Sequence, residues 1–408
     1  MPIKKLKILP NPPRGDLGDA NSRFFGYIEG YYGRMLSWDD RRSIIDKLAQ
    51  ENLNIYLYAP KEDPFHRQEW RKPYPAQWQA SFKLFVKHAK KKNLSVIPGI
   101  SPGLSFDYRG GKDYSRLLNK LASFVKMGCK SVCLLMDDIP AEFPASCKNR
   151  FSSLGNAHGN LLTRLRTDLP KAGGTDISLW FCPTVYADEL VEKNNESRRY
   201  LPDLAASMPP STIVLWTGER VISKTINARS LRYVNELFGG NVCVWDNVYA
   251  NDYCPSKLFF GPYKNRGFDL MTAARGALLN PTGLLHTDMF LLSLLAAFKE
   301  QRPCISSWQK LMAQLPFGKD MAAVSRFFDL PFSRLHPSSL SASRIKRCKA
   351  SLKKLIWDWK SPLQREWYRY LYTLDCDLTL REKRFLKDDA AWIDKKYPPV
   401  LAEILKSR

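Results

Sequence analysis

From Phe24 to about Phe298 the chain alternates short apolar runs with longer stretches whose apolar residues recur every three or four positions. Apolar runs of strand length, bounded by turn formers, suit strands buried on both faces. They predict strands over Phe24–Glu29, Asn54–Ala59, Ser95–Gly99, Ser131–Met136, Asp176–Pro183, Thr212–Trp216, Val242–Asp246 and roughly Arg275–Asn280. The amphipathic stretches between them predict helices over Trp38–Glu51, Ala76–Lys92, Ser115–Met127, Arg150–Leu169 and Ala228–Phe238. Ser37-Trp38-Asp39-Asp40 has the form of a capping box opening the first of these. Eight strands with intervening helices predict an α/β protein, a (β/α)8 TIM barrel rather than an open sheet.

Beyond about Gln301 the pattern becomes helical, rich in Leu, Trp, Lys and Arg and broken by Pro303, Pro316, Pro331 and Pro337. The expected organisation is a flexible leader over 1–22, a catalytic barrel over 23–300 and a smaller, basic α-helical domain over 301–408. The net charge of +23 sharpens that division. Leu291 to Arg408 holds 23 basic and 12 acidic residues, hence +11 in 118 residues. The densest run, Arg344 to Lys354, reads first as a solvated helix face and second as a surface for an acidic partner; it carries no recognised nucleic-acid motif. Nine cysteines, an odd number without a Cys-x-x-Cys pair, sit largely in apolar runs and suit buried, reduced thiols. The longest apolar run, Met289 to Phe298, is too short to span a bilayer. A soluble, cytoplasmic protein is expected, and the sequence leaves its oligomeric state open.

Chemistry gathers where the strands end. The fourth strand runs out into two adjacent carboxylates, Asp137 and Asp138, the place where a parallel barrel puts catalytic groups. Two neighbouring negative charges disturb each other's ionisation, so one acid is expected to stay ionised while its partner holds a proton. Alone, such an Asp could simply cap the next helix, and a magnesium site would need further oxygen ligands that the sequence does not cluster nearby. The other strand ends are also polar or turn-forming: Gly30-Tyr31-Tyr32-Gly33, Pro60-Lys61-Glu62-Asp63, Ser101-Pro102-Gly103, Tyr186, Thr217-Gly218, Asn247 to Asp252 and Asn280-Pro281. The five His are scattered, and there is no nucleophile elbow, P-loop or dinucleotide fingerprint. Hydrolysis by carboxylates, with no cofactor and no metal, fits this inventory.

Eight collinear stretches resemble glycoside hydrolase family 84, the β-N-acetylglucosaminidases that include the O-GlcNAcases and some hyaluronidase-annotated members. They are Gly26 to Gly33, Tyr58 to Pro64, Leu134 to Ile139, Phe181 to Tyr186, Leu215 to Gly218, Trp245 to Tyr253, Gly261 to Lys264 and Leu279 to Pro281. The resemblance covers about residues 24 to 300. It implies a retaining exo-glycosidase in which the substrate's own 2-acetamido group attacks the anomeric carbon and an oxazoline forms, the substrate-assisted exception to the two-carboxylate scheme. On this resemblance Asp137 orients the acetamide N–H, and Asp138 serves as general acid and then general base. Tyr186, Thr217, Trp245 and Asn247 would surround the acetamide. Gly30 (through its backbone), Lys61, Asp252 and Asn280 would bind the sugar hydroxyls, and Val221 and Tyr253 would also bind substrate.

The resemblance has departures: Glu62 where the family usually has Asp, Met35-Leu36 where Pro-Trp is frequent, Met136 for a common Phe, and Pro140 for a common acidic residue. The expected substrate is a β-GlcNAc-modified protein or glycan, first O-GlcNAc on Ser or Thr. The alternatives are a GlcNAc-containing polysaccharide such as hyaluronan, or a non-catalytic role in binding a glycan or an acidic partner.

Overall fold

Eight parallel strands close on themselves in chain order, each hydrogen-bonded to the next and the eighth to the first. They are β1 (Phe24–Glu29), β2 (Ile55–Tyr58), β3 (Ser95–Ile100), β4 (Ser131–Leu135), β5 (Ser178–Cys182), β6 (Ile213–Trp216), β7 (Val242–Asp246) and β8 (Gly276–Leu279). The computed structural model describes residues 23–143, 147, 149–174, 176–331 and 340–382. The expected leader and the end of the expected C-terminal domain, 383–408, lie outside the described residues.

The barrel interior is filled by side chains from alternate positions of the strands. Phe24, Ile28, Ile55, Leu57, Ile97, Leu135, Trp180, Leu215 and Leu278 form one buried cluster, which Trp245 and Tyr186 continue toward the open end. Phe24 and Trp180 meet at 4.8 Å between ring centroids. The side chains pointing outward meet the helices in a second, larger cluster. Burial on both faces explains why every strand reads as a nearly unbroken apolar run.

The barrel helices are α1 (Trp38–Gln50), α2 (Ala76–Lys91), α3 (Gly111–Lys126), α4 (Leu154–Gly173), α5 (Asp188–Val191), α6 (Asn195–Ser207), α7 (Ala228–Leu237), α8 (Leu270–Ala273) and α9 (Leu285–Lys299). The Ser37 capping box is present, with Asp40 returning the bond to the Ser37 backbone. The sequence pattern did not predict α6, which carries Pro202 in its interior. Packing overrides that propensity. Gly155 of α4 lets α6 approach so closely that a Cβ there would lie 2.1 Å from the Tyr200 carbonyl oxygen.

Among the described residues four further α-helices, α10 (Cys304–Gln314), α11 (Gly318–Val324), α12 (Ala342–Lys353) and α13 (Pro362–Glu382), follow the barrel. Their apolar faces join the outer cluster of the barrel without a break, through Leu352, Trp359, Trp367 and Leu371. Glu366 of α13 accepts bonds from the backbone N–H groups of His286 (2.8 Å) and Thr287 (2.9 Å), satisfying the free donors at the start of α9. Tyr370 takes its hydroxyl to the barrel rim, where Arg34 and Asn251 donate to it. The basic run falls on α12, where Ile345, Cys348 and Leu352 are buried while Arg344, Lys346, Arg347 and Lys353 face solvent. All nine cysteines are free thiols, seven of them buried. Among the described residues no helix is long and apolar enough to cross a membrane.

Candidate active site

The C-terminal ends of the strands bring most of the predicted residues to one opening. Asp137 and Asp138 follow β4 after one residue, Met136. Asp137 is buried, and its Oδ2 accepts a bond from the Lys61 ammonium, which arrives from the turn after β2. Its Oδ1 is also buried and has no hydrogen-bond partner. A buried carboxylate oxygen without a donor is costly, so this atom is set to receive an N–H or O–H from outside the protein.

Asp138 points into the opening. It sits in the left-handed backbone region, φ +55°, a conformation Asp tolerates better than most residues. The Tyr32 hydroxyl donates to its Oδ2 at 2.6 Å and the Tyr186 hydroxyl to its Oδ1 at 2.9 Å. Lys61 Nζ lies 3.8 Å and Arg67 Nη1 4.0 Å from Oδ2.

Here the structure corrects the expectation that Asp137 would raise its neighbour's pKa. Burial pushes the Asp138 carboxyl upward, but the Lys61 cation, the two tyrosine hydroxyls and Arg67 outweigh it and hold the group below the usual carboxylate range. Lys61, paired with Asp137, also lies close enough to Asp138 for its positive charge to offset the negative one next door. Lys61 itself, although buried, is held well above the ordinary lysine value by Asp137 and Asp138. The Tyr32 phenol is pushed up to about 12, chiefly by burial, so it stays a donor.

The opposite side of the opening, from β6 around to β1, is built mainly of amides, an indole and backbone groups. Asn280, just past β8, accepts the Gly30 N–H at 3.2 Å and donates to Asn247 Oδ1 at 2.9 Å. Asn247, just past β7, also accepts the Trp245 indole N–H at 2.8 Å and donates to the Val221 carbonyl at 2.8 Å. Gly30 abuts the Trp245 ring: a Cβ there would lie 2.6 Å from the indole. Thr217 is buried, its hydroxyl bonded to the carbonyls of Tyr186 and Arg220, so it fastens the loop after β6 to the Tyr186 backbone. Asp252 accepts the backbone N–H groups of Tyr32 and Tyr253, both at 2.9 Å, stapling the β7 loop to the turn after β1. Tyr253 stacks on Phe259. Below the amide chain, Arg266 forms a buried bidentate pair with Asp246, to which Tyr263 also donates.

The twelve predicted positions are not all alike. Asp137, Asp138, Lys61 and Tyr186 form one connected polar group; Gly30, Val221, Trp245, Asn247 and Asn280 form another; Thr217, Asp252 and Tyr253 brace the loops between them. Sequence reasoning passed over Tyr32 and Arg67, which touch Asp138 directly, and Glu62, whose carboxylate accepts the Gly33 N–H at 2.7 Å. A signal existed for both Asp138 neighbours. Tyr32 lies in the first turn motif, and Arg67 is a second cation in the long connection that supplies Lys61. Among the described residues no group of three or more His, Cys, Asp or Glu could hold a metal ion.

Comparison with known proteins adds an independent line. Residues 25–329 match the family described as beta-N-acetylglucosaminidase. The chain is 34% identical over 267 residues to Protein O-GlcNAcase of Mus musculus and, equally, to that of Rattus norvegicus, covering 65% of this chain. It spans 29% of the length of those curated relatives. A solved mutant of the O-GlcNAc hydrolase from Thermobaculum terrenum superposes with a TM-score of 0.76 at 24% identity, over 88% of this chain and 83% of that one. That superposition speaks to the fold.

Proposed function

Because the chain belongs to the beta-N-acetylglucosaminidase family, we propose that it is a retaining exo-β-N-acetylglucosaminidase that removes O-linked GlcNAc from Ser or Thr of proteins. The observation that carries this reading is the pair of unlike carboxylates after β4. One is buried against Lys61 with a free, buried oxygen; the other is turned outward in reach of two hydroxyls.

In the first step the carbonyl oxygen of the substrate's 2-acetamido group bonds to the anomeric carbon while the bond from that carbon to the aglycone oxygen breaks. Asp138 gives its proton to the departing oxygen. Asp137 Oδ1 accepts the acetamide N–H, stabilising the positive charge that develops as the oxazoline ring closes. In the second step Asp138, now a carboxylate, takes a proton from water, whose oxygen bonds to the anomeric carbon as the ring reopens. Two inversions leave the β configuration unchanged.

Asp138 is held ionised in the resting site, so it takes up a proton from bulk water as the substrate binds. Burial is already the strongest influence on this group, and a sugar covering it deepens that burial and raises its proton affinity. The Trp245, Asn247 and Asn280 chain, with Gly30 pressed against the indole, forms a rigid wall for the acetamide and the sugar. Nine free thiols suit a reducing, cytoplasmic setting.

The test is hydrolysis of aryl β-GlcNAc substrates whose acetamide methyl is fluorinated stepwise. Fluorine makes the carbonyl a poorer nucleophile, so rates should fall with each fluorine, and proton NMR should detect the β anomer first. A rate indifferent to fluorination, or an α anomer formed first, contradicts the mechanism.

A further inference from the structure

Arg67 has no place in the scheme above, yet its guanidinium reaches the outward carboxylate by two routes. Nη2 donates to the main-chain carbonyl of Asp138 at 3.2 Å, while Nη1 donates to the Tyr32 hydroxyl, which in turn donates to Asp138 Oδ2 at 2.6 Å. The guanidinium also lies 5.8 Å from the Tyr32 ring centroid, close enough for its charge to hold that ring. Its side chain is only 12% exposed, and the carboxylate it pairs with among the described residues is Asp138.

The backbone beneath it is fixed. His66, the preceding residue, is buried with Nδ1 bonded to the Gly99 carbonyl at 2.8 Å, and its own carbonyl accepts the Ser101 N–H at 2.9 Å. Lys120 is buried and spans the carbonyls of Phe65, Trp70 and Lys72, tying the segments on either side. Such anchoring is more than an arginine needs for solubility.

Asp138 needs this help because of its backbone. A non-glycine residue in the left-handed region is disfavoured and persists where its surroundings hold it there. The bond from Arg67 to the Asp138 carbonyl fixes the peptide group that follows the strained residue, and Tyr32 fixes the far end of the side chain. A planar, five-donor guanidinium can make both contacts at once, whereas an ammonium on a flexible stem acts as a point charge.

We propose that Arg67 is a positioning residue for the acid step, holding Asp138 at its main-chain carbonyl and, through Tyr32, at its carboxylate. This rests on the glycosidase reading of the same site. It assigns Arg67 to the protonation of the departing oxygen, so its importance scales with how badly that oxygen needs a proton. An arginine that merely supported the fold would affect good and poor leaving groups alike.

The experiment compares kcat/KM, which covers the steps through aglycone departure, for 4-nitrophenyl and methyl β-GlcNAc with wild type, Arg67→Met and Arg67→Lys. General acid catalysis contributes about 10²–10⁴-fold, so Arg67→Met should lose roughly 30-fold or more on the methyl glycoside and under about 3-fold on the nitrophenyl one. Arg67→Lys, which keeps the charge and guards against a folding failure in the methionine variant, should recover only part of the loss on the methyl glycoside. Equal losses on both substrates, no loss on either, or full recovery by lysine overturns the assignment. A folded wild type inert to both glycosides removes the glycosidase reading and the assignment with it.

Discussion

The two sides of the barrel mouth are built on different physics. From β1 to β5 the groups are ionic: Lys61, Arg67, Asp137 and Asp138, with two phenols donating to the outward acid. From β6 around to β8 they are amides, an indole and backbone groups in an unbroken hydrogen-bonded chain. Lys61 reaches both carboxylates, and Asp138 has two cations and two phenols in reach, so these charges can redistribute when a substrate arrives. An amide chain whose donors and acceptors are already matched has no such freedom and serves as a fixed template. The difference assigns proton movement to the first side and substrate placement to the second.

The most drastic way to break the ionic side is Asp138→Asn. It should reduce kcat/KM by about 10²–10⁴-fold on alkyl glycosides and much less on aryl glycosides with good leaving groups. Steady-state kinetics across a leaving-group series checks it.

Beneath the amide side, Arg266→Met strands the buried Asp246 charge and should cost about 3–5 kcal/mol of stability. Denaturant unfolding measures the loss. The ionic side should keep its leaving-group dependence in whatever fraction stays folded.

Asn247→Ala removes the acceptor shared by Trp245 and Asn280 and the donor to Val221. It should lower kcat/KM by about 10²-fold, the scale of one lost preorganised donor. The loss should be equal for good and poor leaving groups and equal at every pH, since no titrating group is touched. A loss confined to poor leaving groups would erase the proposed division.

The mildest perturbation leaves the sequence intact and changes only the pH. Burial, with Lys61 beside His66, holds His66 and His158 neutral, each with its pKa lowered to about 3. A histidine lowered on folding binds more protons unfolded, so stability is full above the unfolded value near 6.5 and is lost as pH falls from there toward 3. The slope is about 1.4 kcal/mol per pH unit for each such group. Thermal midpoints between pH 7 and pH 4 should fall accordingly.

How much of this was legible in the sequence follows from the range of the forces involved. The barrel was, because double-sided burial writes itself as apolar runs, and the predicted strands differ from the observed ones by a residue or two at the ends. The helix α6 was not, since Pro202 argues locally against what the close contact at Gly155 imposes from a distance. The meeting of most of the predicted positions at one mouth was foreshadowed by their placement at strand ends. The ionisation of Asp138 was not, because adjacency in sequence says that Asp137 is near but not that Lys61, with α2, β3, α3 and β4 between them in the chain, pairs with Asp137 and reaches Asp138 as well. Arg67 stood in the sequence as a second cation near Lys61, but what it touches was not legible for the same reason: its two contacts are made to residues 35 and 71 positions away.

The central claim is that Asp137 and Asp138 divide the work, one on the acetamide nitrogen and the other on the aglycone oxygen. A crystal structure with a thiazoline mimic of the cyclised sugar tests it most directly. The account predicts the ring nitrogen about 2.7–3.2 Å from a carboxylate oxygen of Asp137, with Asp138 on the anomeric side and the ring against Trp245. A ligand whose nitrogen faces Lys61 or solvent, with Asp137 Oδ1 still unpartnered, would contradict it.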